Sequence, residues 1–180
     1  MKIIETEFDG LYIIEPIIFE DERGYFYETY NEQRYKNAGI DYKFVQDNES
    51  KSSYGIIRGL HFQKGEFAQA KLVRCLQGKV LDVVVDMRKN SKTFGKHYSV
   101  ELTGENKLQF MIPRGFAHGF SVLSDTAIFS YKCDNIYNKE SEGGIIYNDP
   151  FLNIDWKIKS GSEILSEKDK KHPTFKEFFK

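Results

Sequence analysis

The stretch KLVRCLQGKVLDVVVDMR, residues 71 to 88, decides the fold class of this chain. Two apolar runs flank a polar turn signal, Gln77-Gly78-Lys79. After the turn, residues alternate between two sets: Leu81, Val83, Val85 and Met87 against Val80, Asp82, Val84 and Asp86. Because successive strand residues point to opposite faces, this alternation indicates β-structure. We therefore predict a β-hairpin here, with one strongly apolar face.

Four further strand-like runs follow, separated by short polar turns: HYSVELT, KLQFMI, HGFSVL and TAIFSYKC. Aromatic residues make up 15% of the chain, and such residues favour pleated sheets. Short strands at regular spacing predict an antiparallel sandwich or barrel. Helical signals are confined to about Asn31 to Ala38 and to a short segment after Ser166, where Ser-Glu-Lys-Asp suits a helix start. Without a linker or an internal repeat, residues 1–180 are interpreted as one domain.

Charge and composition exclude several classes of protein. A formal net charge of -1 argues against general electrostatic binding to nucleic acid or to an anionic membrane. An acidic small molecule could still bind through a few local basic side chains. No stretch is long and apolar enough to span a bilayer, and the N-terminal residues do not have the pattern of a signal peptide. Because the only cysteines, Cys75 and Cys133, lie in apolar strand-like runs, we expect a cytoplasmic protein with inert, reduced core thiols.

The segment GLHFQ, residues 59 to 63, is the first candidate site. A lone His61 between Leu and Phe is, by itself, more often structural than catalytic. Lys71 shares its strand parity, which would place both side chains on one face, but Gly65 interrupts a regular strand. Arg58 differs in parity, so it would share that face only if a bulge intervened. On spacing alone, both basic residues are best interpreted as solvated edge charges.

Three more segments contain residues that suit a binding site. His118 lies in IPRGFAHGF, where Pro and Gly indicate either close approach of the backbone to a ligand or a tight barrel corner. Tyr131 and Tyr137 share strand parity and could face one cavity, although tyrosines also pack in all-β cores. Asp169, in SEKD, could orient a histidine or belong to a surface charge cluster.

The four histidines, at positions 61, 97, 118 and 172, do not have the spacing of a mononuclear metal site. Such a site needs about three or four protein ligands, usually paired His or His with a carboxylate. Neither HxH nor HxxxH occurs, and Gln63 stands two residues after His61. No Gly-rich phosphate loop of the common nucleotide-binding kinds is present. We therefore predict neither a metal nor a cofactor, and acid-base chemistry is favoured over redox chemistry.

Five blocks, in order, carry a resemblance to a known family: FEDERGYFYE, QDNESKSSYGIIRGLHFQ, AQAKLVRCLQGKVLDVVVDMRKNSKTFG, IPRGFAHGF and SYKCDNIY. The chain resembles the dTDP-4-dehydrorhamnose 3,5-epimerases from about Ile14 through NDPFLNIDW to SEKD. This resemblance implies an all-β, cupin-type jelly roll (an antiparallel β-sandwich or barrel) with short peripheral helices, usually a homodimer. The implied substrate is a dTDP-sugar, dTDP-4-dehydro-6-deoxy-glucose, which is converted without a cofactor to dTDP-4-dehydro-L-rhamnose.

The resemblance also implies roles for individual residues. His61 resembles the general base, Asp169 the carboxylate that orients it, and Tyr131 the proton donor on the opposite face. Lys71 resembles a polar contact near the sugar, and its charge suits the negative oxygen that develops at C4. Tyr137 resembles the aromatic that stacks on thymine. The remaining candidates match blocks that contact the sugar, the phosphates or the nucleotide, some of them from the partner subunit: Arg23, Glu28, Gln46, Asn48, Arg58, His118, Glu142 and Lys168.

Four alternatives stay open from the sequence. A sibling epimerase would invert only C3 or only C5, or use a different nucleotide, and sequence separates it poorly. A 3,4-ketoisomerase of similar fold would also move protons through an enediol. A non-catalytic cupin that binds sugar nucleotides is disfavoured because both a base and an acid candidate are present. A metal-dependent dioxygenase is the least favoured, because the ligand count is too low.

Overall fold

Antiparallel β-strands make up most of the computed structural model, which describes all 180 residues. The strands are β1 (Lys2–Glu5), β2 (Tyr12–Glu15), β3 (Phe19–Asp21), β4 (Gly24–Phe26), β5 (Gln46–Ser53), β6 (Ile57–Gln63), β7 (Lys71–Gln77), β8 (Lys79–Asp86), β9 (His97–Thr103), β10 (Gln109–Ile112), β11 (Phe116–Val122), β12 (Thr126–Cys133) and β13 (Glu142–Gly144). The helical elements are α1 (Glu32–Asn37), α2 (Phe175–Phe178) and two 3-10 turns, Gly65–Phe67 and Asp169–Lys171.

Two sheets form the body of the molecule. The six-stranded sheet has the order β1-β2-β10-β7-β12-β5, and the five-stranded sheet has the order β13-β6-β11-β8-β9. Strands β3 and β4 pair only with each other, as a separate two-stranded hairpin. From β5 to β8 each strand lies in the other sheet from the one before it, which is the crossing pattern of a double-sheet jelly roll. The predicted all-β antiparallel sandwich with short peripheral helices is therefore confirmed.

The predicted hairpin between residues 71 and 88 is wrong in its pairing. Strands β7 and β8 begin and end close to the predicted runs, but β7 pairs with β10 and β12, whereas β8 pairs with β9 and β11. Gly78 joins them with φ +78°, and a Cβ there would meet the backbone of Thr126. The chain thus turns at Gly78 from one sheet into the other. Alternation along a strand reports its two faces but not its hydrogen-bonding partner, which is why the sequence pattern could not distinguish these cases.

Strand β8 is buried on both faces, not on one as predicted. One set of its residues packs between the sheets with aromatic residues of β10 and β12: Val80, Val84, Phe110 and Phe129. The alternate set packs beneath the C-terminal segment: Leu81, Val83, Val85, Trp156 and Phe175. Asp82 has the parity of the first set, and Lys71 has the parity of Val73 and Cys75 on β7. Both polar side chains therefore point into the space between the sheets.

The two predicted helical regions are confirmed. Asn31 caps α1 by accepting a hydrogen bond from the backbone N–H of Arg34 at 3.1 Å, and Tyr35 packs the helix onto the outer face of the six-stranded sheet. Near the C-terminus, the Ser166 hydroxyl oxygen accepts from the backbone N–H of Asp169 at 3.1 Å. This bond starts the 3-10 turn that places Asp169, so the SEKD segment begins a short helical element, as predicted.

No helix in the structure has the length and apolarity needed to cross a bilayer. The two cysteines, Cys75 and Cys133, are buried and unbonded to each other, which confirms their prediction as core thiols. Burial raises the pKa of each thiol to about 11, so neither is a reactive thiolate near neutral pH.

Candidate active site

A cavity of about 450 Å³, called here the main cavity, lies between the two sheets and beneath the C-terminal segment. A second pocket of about 280 Å³, the adjoining pocket, shares His61, Lys71 and Tyr131 with the main cavity. These three side chains therefore stand where the two spaces meet. The sequence-predicted site residues that line the main cavity are Arg58, His61, Lys71, His118, Tyr131, Lys168 and Asp169.

His61 and Asp169 form the first histidine–aspartate pair of the cavity. The His61 Nε2 atom lies 2.8 Å from Asp169 Oδ1, although the two residues are far apart in sequence. The Asp169 side chain is 5% exposed, whereas that of His61 is 32% exposed. Burial alone would raise the pKa of Asp169, but the hydrogen bond and charge of His61, together with hydrogen bonds from Gly59 and Ser166, outweigh burial, and the net pKa lies below the ordinary value. Asp169 is thus an ionised anchor for an imidazole that reaches the cavity.

A bulge in β6 brings Arg58 to the same cavity as His61. On β11, His118 pairs with His61 and Phe120 pairs with Arg58, so three steps along β6 oppose two along β11. The extra residue reverses the parity between Arg58 and His61, which is the condition the sequence analysis required. The Arg58 Nε–H donates to the Ser52 hydroxyl oxygen at 3.1 Å. The interpretation of Arg58 as only a solvated edge charge is therefore wrong, even though its side chain stays exposed.

His118 belongs to a second, buried histidine–aspartate pair that the sequence analysis did not identify. Its Nε2 atom lies 2.9 Å and 3.0 Å from the two carboxylate oxygens of Asp82. Burial raises the pKa of Asp82 and lowers the pKa of His118, because it disfavours the charged form of each. The available signal was an aspartate inside the apolar run VLDVVVD, since a carboxylate on a buried strand needs a polar partner.

Lys71 and Tyr131 occupy the wall formed by the six-stranded sheet, opposite His61. Burial lowers the pKa of the Lys71 ammonium and raises the pKa of the Tyr131 phenol. The Lys71 Nζ atom lies 5.7 Å from the centre of the Tyr131 ring. The interpretation of Lys71 as a solvated edge charge is therefore wrong, because β7 is a central strand and Lys71 points between the sheets.

The adjoining pocket collects most of the predicted nucleotide contacts. The Tyr137 hydroxyl donates to Glu142 Oε2 at 3.0 Å, and Lys168 forms an ion pair with the same carboxylate. The Gln46 side-chain amide donates to Asn48 Oδ1 at 3.0 Å and accepts from the backbone N–H of Tyr137 at 3.2 Å. Tyr131 and Tyr137 do line one pocket, as their parity predicted, although Tyr137 lies beyond the end of β12.

Two predicted site residues lie outside both the main cavity and the adjoining pocket of this chain. Arg23 is at the tip of the β3–β4 hairpin, where it pairs with Asp21 and its side chain is 85% exposed. Glu28 is exposed and pairs with Arg34 at 3.2 Å. A single chain therefore does not bring Arg23 or Glu28 to His61, and any role in the site would require a second subunit.

The geometry defines the chemistry that this cavity can perform. A carboxylate-anchored imidazole on one sheet faces a neutral phenol on the other, with the ammonium of the half-buried Lys71 beside the phenol. An imidazole in this setting suits general base catalysis, and a fixed positive charge suits a developing oxyanion. The fold and site define a cupin-like enzyme of the isomerase class, built to move protons at a carbon beside a carbonyl group.

The comparisons with known proteins identify the family. A family model described as dTDP-4-dehydrorhamnose 3,5-epimerase matches residues 5–177. The dTDP-4-dehydrorhamnose 3,5-epimerase of Escherichia coli K12 is 51% identical over 181 residues, which cover 100% of this chain and 97% of that protein. This chain belongs to the dTDP-4-dehydrorhamnose 3,5-epimerase family, as its sequence resemblance implied.

Solved structures agree with this assignment. The crystal structure of dTDP-4-dehydrorhamnose 3,5-epimerase from Elizabethkingia anophelis has a TM-score of 0.95 and 64% identity, covering 98% of this chain and 97% of that chain. A 3,5-epimerase from Legionella pneumophila, solved in complex with dTDP-4-keto-L-rhamnose, has a TM-score of 0.92 and 52% identity, covering 96% of this chain and 92% of that chain. The family and the cupin-like fold are thus found together in the same relatives.

Proposed function

We propose that this protein inverts C3 and C5 of dTDP-4-dehydro-6-deoxy-α-D-glucose to form dTDP-4-dehydro-β-L-rhamnose, a step of dTDP-L-rhamnose biosynthesis. The observation that carries the proposal is the placement of His61 and Tyr131 on opposite sheets, facing one cavity. Inversion at carbon requires that a proton leave from one face and arrive at the other. A base and an acid on opposite walls of a cavity meet that requirement.

His61 acts as the base in this proposal. When Nε2–H of the neutral imidazole donates a hydrogen bond to Asp169, the other ring nitrogen, Nδ1, is unprotonated and keeps its lone pair. That nitrogen takes the proton from C5 or C3, and the electrons of the broken C–H bond move through the enolate to the C4 oxygen. The Asp169 carboxylate then stabilises the positively charged imidazolium. General base catalysis of this kind raises the rate by about 10²- to 10⁴-fold.

Lys71 stabilises the enolate oxygen. Lys71 is half-buried between the sheets, where it lines the cavity, and a fixed charge in a partly desolvated site acts on a developing oxyanion more strongly than in water. A donor in such a position is worth about 3 to 4 kcal/mol of transition-state stabilisation. The C4 ketone of the substrate acidifies both neighbouring carbons, so one lysine serves both inversions.

Tyr131 returns a proton to the opposite face. Its raised pKa keeps the phenol protonated, so it can donate to the enolate carbon as a neutral acid. The resulting phenolate regains a proton from solvent, and His61 releases the one it removed. Each inversion is thus neutral in protons and needs only protein side chains and solvent.

The adjoining pocket holds the nucleotide in this proposal. Tyr137 offers an exposed aromatic face that suits stacking on thymine, and its hydroxyl is held by Glu142. Gln46 and Asn48 supply amide groups at the pocket wall, whereas Arg58 and Lys168 carry positive charge that suits the diphosphate.

We also propose a cytoplasmic homodimer in which the β3–β4 hairpin reaches a second copy. Three aromatic side chains on this hairpin are more than half exposed: Phe19, Tyr25 and Phe26. Such an exposed apolar patch favours burial against a partner, and it would carry Arg23 and Glu28 toward the second subunit's site. The free, buried thiols support a reducing compartment.

Proton NMR in deuterated water tests the proposal with metal-stripped protein and dTDP-4-dehydro-6-deoxy-glucose. We expect deuterium incorporation with inversion at both C3 and C5. Labelling and inversion at one carbon would assign a sibling epimerase, and a carbonyl that appears at C3 would assign a ketoisomerase. Substrate binding without any exchange would contradict an enzymatic role.

A further inference from the structure

His172 lies beside the catalytic pair but has no role in the proposed reaction. It follows the 3-10 turn Asp169–Lys171 directly, and its side chain is 11% exposed. Its ring meets the His61 ring edge-on, with the ring centres 5.6 Å apart. It also packs against Gly144, which pairs with His61 across β6 and β13 and has no room for a Cβ. The fold therefore holds a second imidazole firmly against the His61–Asp169 pair.

The Nε2 atom of His172 is buried and has no hydrogen-bond partner. It points toward Asp169 Oδ1 at 3.7 Å, which is too long for a hydrogen bond. Buried polar atoms without a partner are rare, because each loses its hydrogen bonds to water without replacement. A nitrogen of this kind, beside a carboxylate and a second imidazole, is a candidate metal ligand.

The three side chains present their donor atoms to a common point. One ligand atom from each of His61, Asp169 and His172 lies within 4.8 Å of the other two. Zinc binds imidazole nitrogen and carboxylate oxygen at about 2.0 to 2.2 Å, so ligand atoms in a tetrahedral shell stand about 3.3 Å apart. The two shorter separations, 2.8 Å and 3.7 Å, lie on either side of that value. Small side-chain adjustments would therefore complete three corners of a zinc site.

The spacing test on the sequence could not find this set. The distance in sequence between His61 and Asp169 is 108 residues, and the carboxylate supplies the donor between the two imidazoles. Two imidazoles and one carboxylate form a common ligand set for zinc with an open fourth position. Because His61 and Asp169 line the main cavity, solvent can reach the group from that side.

We propose that His61, Asp169 and His172 form an inhibitory site for Zn²⁺, which switches off the catalytic base. When zinc binds His61 Nε2, the ring proton must move to the other nitrogen, and the imidazole then has no lone pair for a substrate proton. The metal also takes the carboxylate that orients the ring. This inhibition rests on the proposed function of His61 as the base, whereas metal binding itself does not.

Metal binding is tested first, on metal-stripped, full-length protein without substrate. Co²⁺ serves as a visible probe for the zinc site, and Zn²⁺ is added in competition. We expect one Co²⁺ per chain, an absorption spectrum of tetrahedral nitrogen and oxygen ligation, and displacement by one equivalent of Zn²⁺. The absence of saturable binding by either metal would overturn the proposal. This measurement needs neither activity nor a variant.

Inhibition is tested with His172→Gln and a matched control, His97→Gln, which removes a histidine from β9. Zinc should abolish deuterium exchange in the parent protein, and a chelator should restore it. In His172→Gln, exchange without zinc should stay within about twofold of the parent, while half-inhibition should need at least about tenfold more zinc. His97→Gln should respond as the parent does. Equal zinc sensitivity of His172→Gln and the parent would overturn the proposal.

The two proposals fail separately. If the parent protein exchanges no substrate hydrogens but binds Co²⁺ through His172, the proposed function is contradicted and the proposed metal site is supported. If exchange proceeds normally and a saturating concentration of zinc leaves it unchanged, the proposed inhibitory site is contradicted and the proposed epimerase function is supported.

Discussion

The histidines of two histidine–aspartate pairs lie on adjacent strands of the same sheet, and the pairs differ chiefly in their access to solvent. His61 on β6 stands directly opposite His118 on β11. In the first pair, the His61 side chain is 32% exposed and reaches the main cavity. In the second pair, the side chains of His118 and Asp82 are 7% and 0% exposed. The same two residue types therefore occupy a solvated and a buried setting within one site.

The difference in burial determines what each pair can do. Asp169 has a lowered pKa and stays ionised beside His61, so that imidazole has a counter-ion when it takes up a proton. Burial shifts the pKa values of Asp82 and His118 in the opposite sense, toward their neutral forms. The first pair thus suits proton transfer, whereas the second suits a fixed hydrogen-bonding contact beneath the substrate.

The largest effect is expected at the exposed histidine. His61→Gln removes the base and should lower deuterium exchange at C3 and C5 by up to about 10⁴-fold, with nucleotide binding largely intact. His118→Gln should lower this exchange by a smaller factor, because it removes a hydrogen-bonding contact and not the base. Deuterium exchange measured by NMR, together with the nucleotide affinity of each variant, distinguishes loss of the base from loss of a contact. A greater loss in His118→Gln would reverse the assignment of the two pairs.

The next effect concerns the opposite wall. Tyr131→Phe removes one hydroxyl, so it should leave the thermal midpoint almost unchanged and lower net epimerisation by about 10²- to 10³-fold. Hydrogen removal by His61 does not need this hydroxyl, so exchange should fall less than inversion. Product configuration and deuterium content, measured in the same sample, give both values. Normal turnover would move the acid to another residue.

The two aspartates should differ in the property that they control. Asp169→Asn misorients His61 and should lower turnover by up to about 100-fold. Asp82→Asn leaves a buried site imperfectly paired and should lower the free energy of unfolding by about 1 to 3 kcal/mol. Urea unfolding and steady-state turnover of both variants test this. Equal loss of turnover in both would remove the distinction drawn between the pairs.

A third carboxylate, Asp86 at the end of the same strand as Asp82, extends the comparison to acid stability. Burial alone would raise the pKa of Asp86, but hydrogen bonds from Arg88, Ser91 and Thr93 hold it at about 2. A lowered folded-state pKa stabilises the fold above pH 4 and loses that contribution as pH falls toward 2. The free energy of unfolding should therefore fall by about 2 kcal/mol between neutral pH and pH 2 because of this one group.

Urea unfolding at several acidic pH values measures this contribution. Asp86→Asn should be less stable at neutral pH and should lack this part of the acid-induced loss. An unchanged pH dependence in the variant would show that other carboxylates cause the acid instability.

The smallest effect is expected in the alkaline pH profile. Because burial lowers the pKa of Lys71, its ammonium is lost as pH rises through that lowered value, while the raised pKa of Tyr131 keeps the phenol protonated. Turnover should fall about tenfold per pH unit above the Lys71 pKa. The titratable groups around Lys71 come from β6, β8, β11, β12 and β13: His61, Asp82, His118, Tyr131, Cys133 and Glu142.

Lys71→Arg tests this origin of the alkaline fall. Arginine stays charged in the accessible pH range, so the fall should move upward in pH. Lys79→Arg, at an exposed position in the strand β8, should leave the profile unchanged. An alkaline fall that does not move in Lys71→Arg would assign it to another group.

Local patterns were sufficient for the strands, the short helices and the SEKD turn. Alternation from residue 71 onward predicted β7 and β8 within a residue or two, and Asn31 marked the start of α1. These features depend on contacts between residues close in sequence, such as the cap from Asn31 to Arg34. The resemblance of ordered blocks supplied the family and the roles of His61, Tyr131 and Asp169, which spacing alone left open.

The sequence by itself therefore determined the β-rich class and the family, because composition, period and ordered motifs are local properties. Only the tertiary structure decided that β7 and β8 lie in different sheets, and that a bulge turns Arg58 toward His61. The same holds for the pairing of Asp82 with His118 and for the approach of His172 to Asp169. Distances and burial between residues far apart in sequence depend on how the two sheets pack, and no local pattern encodes that.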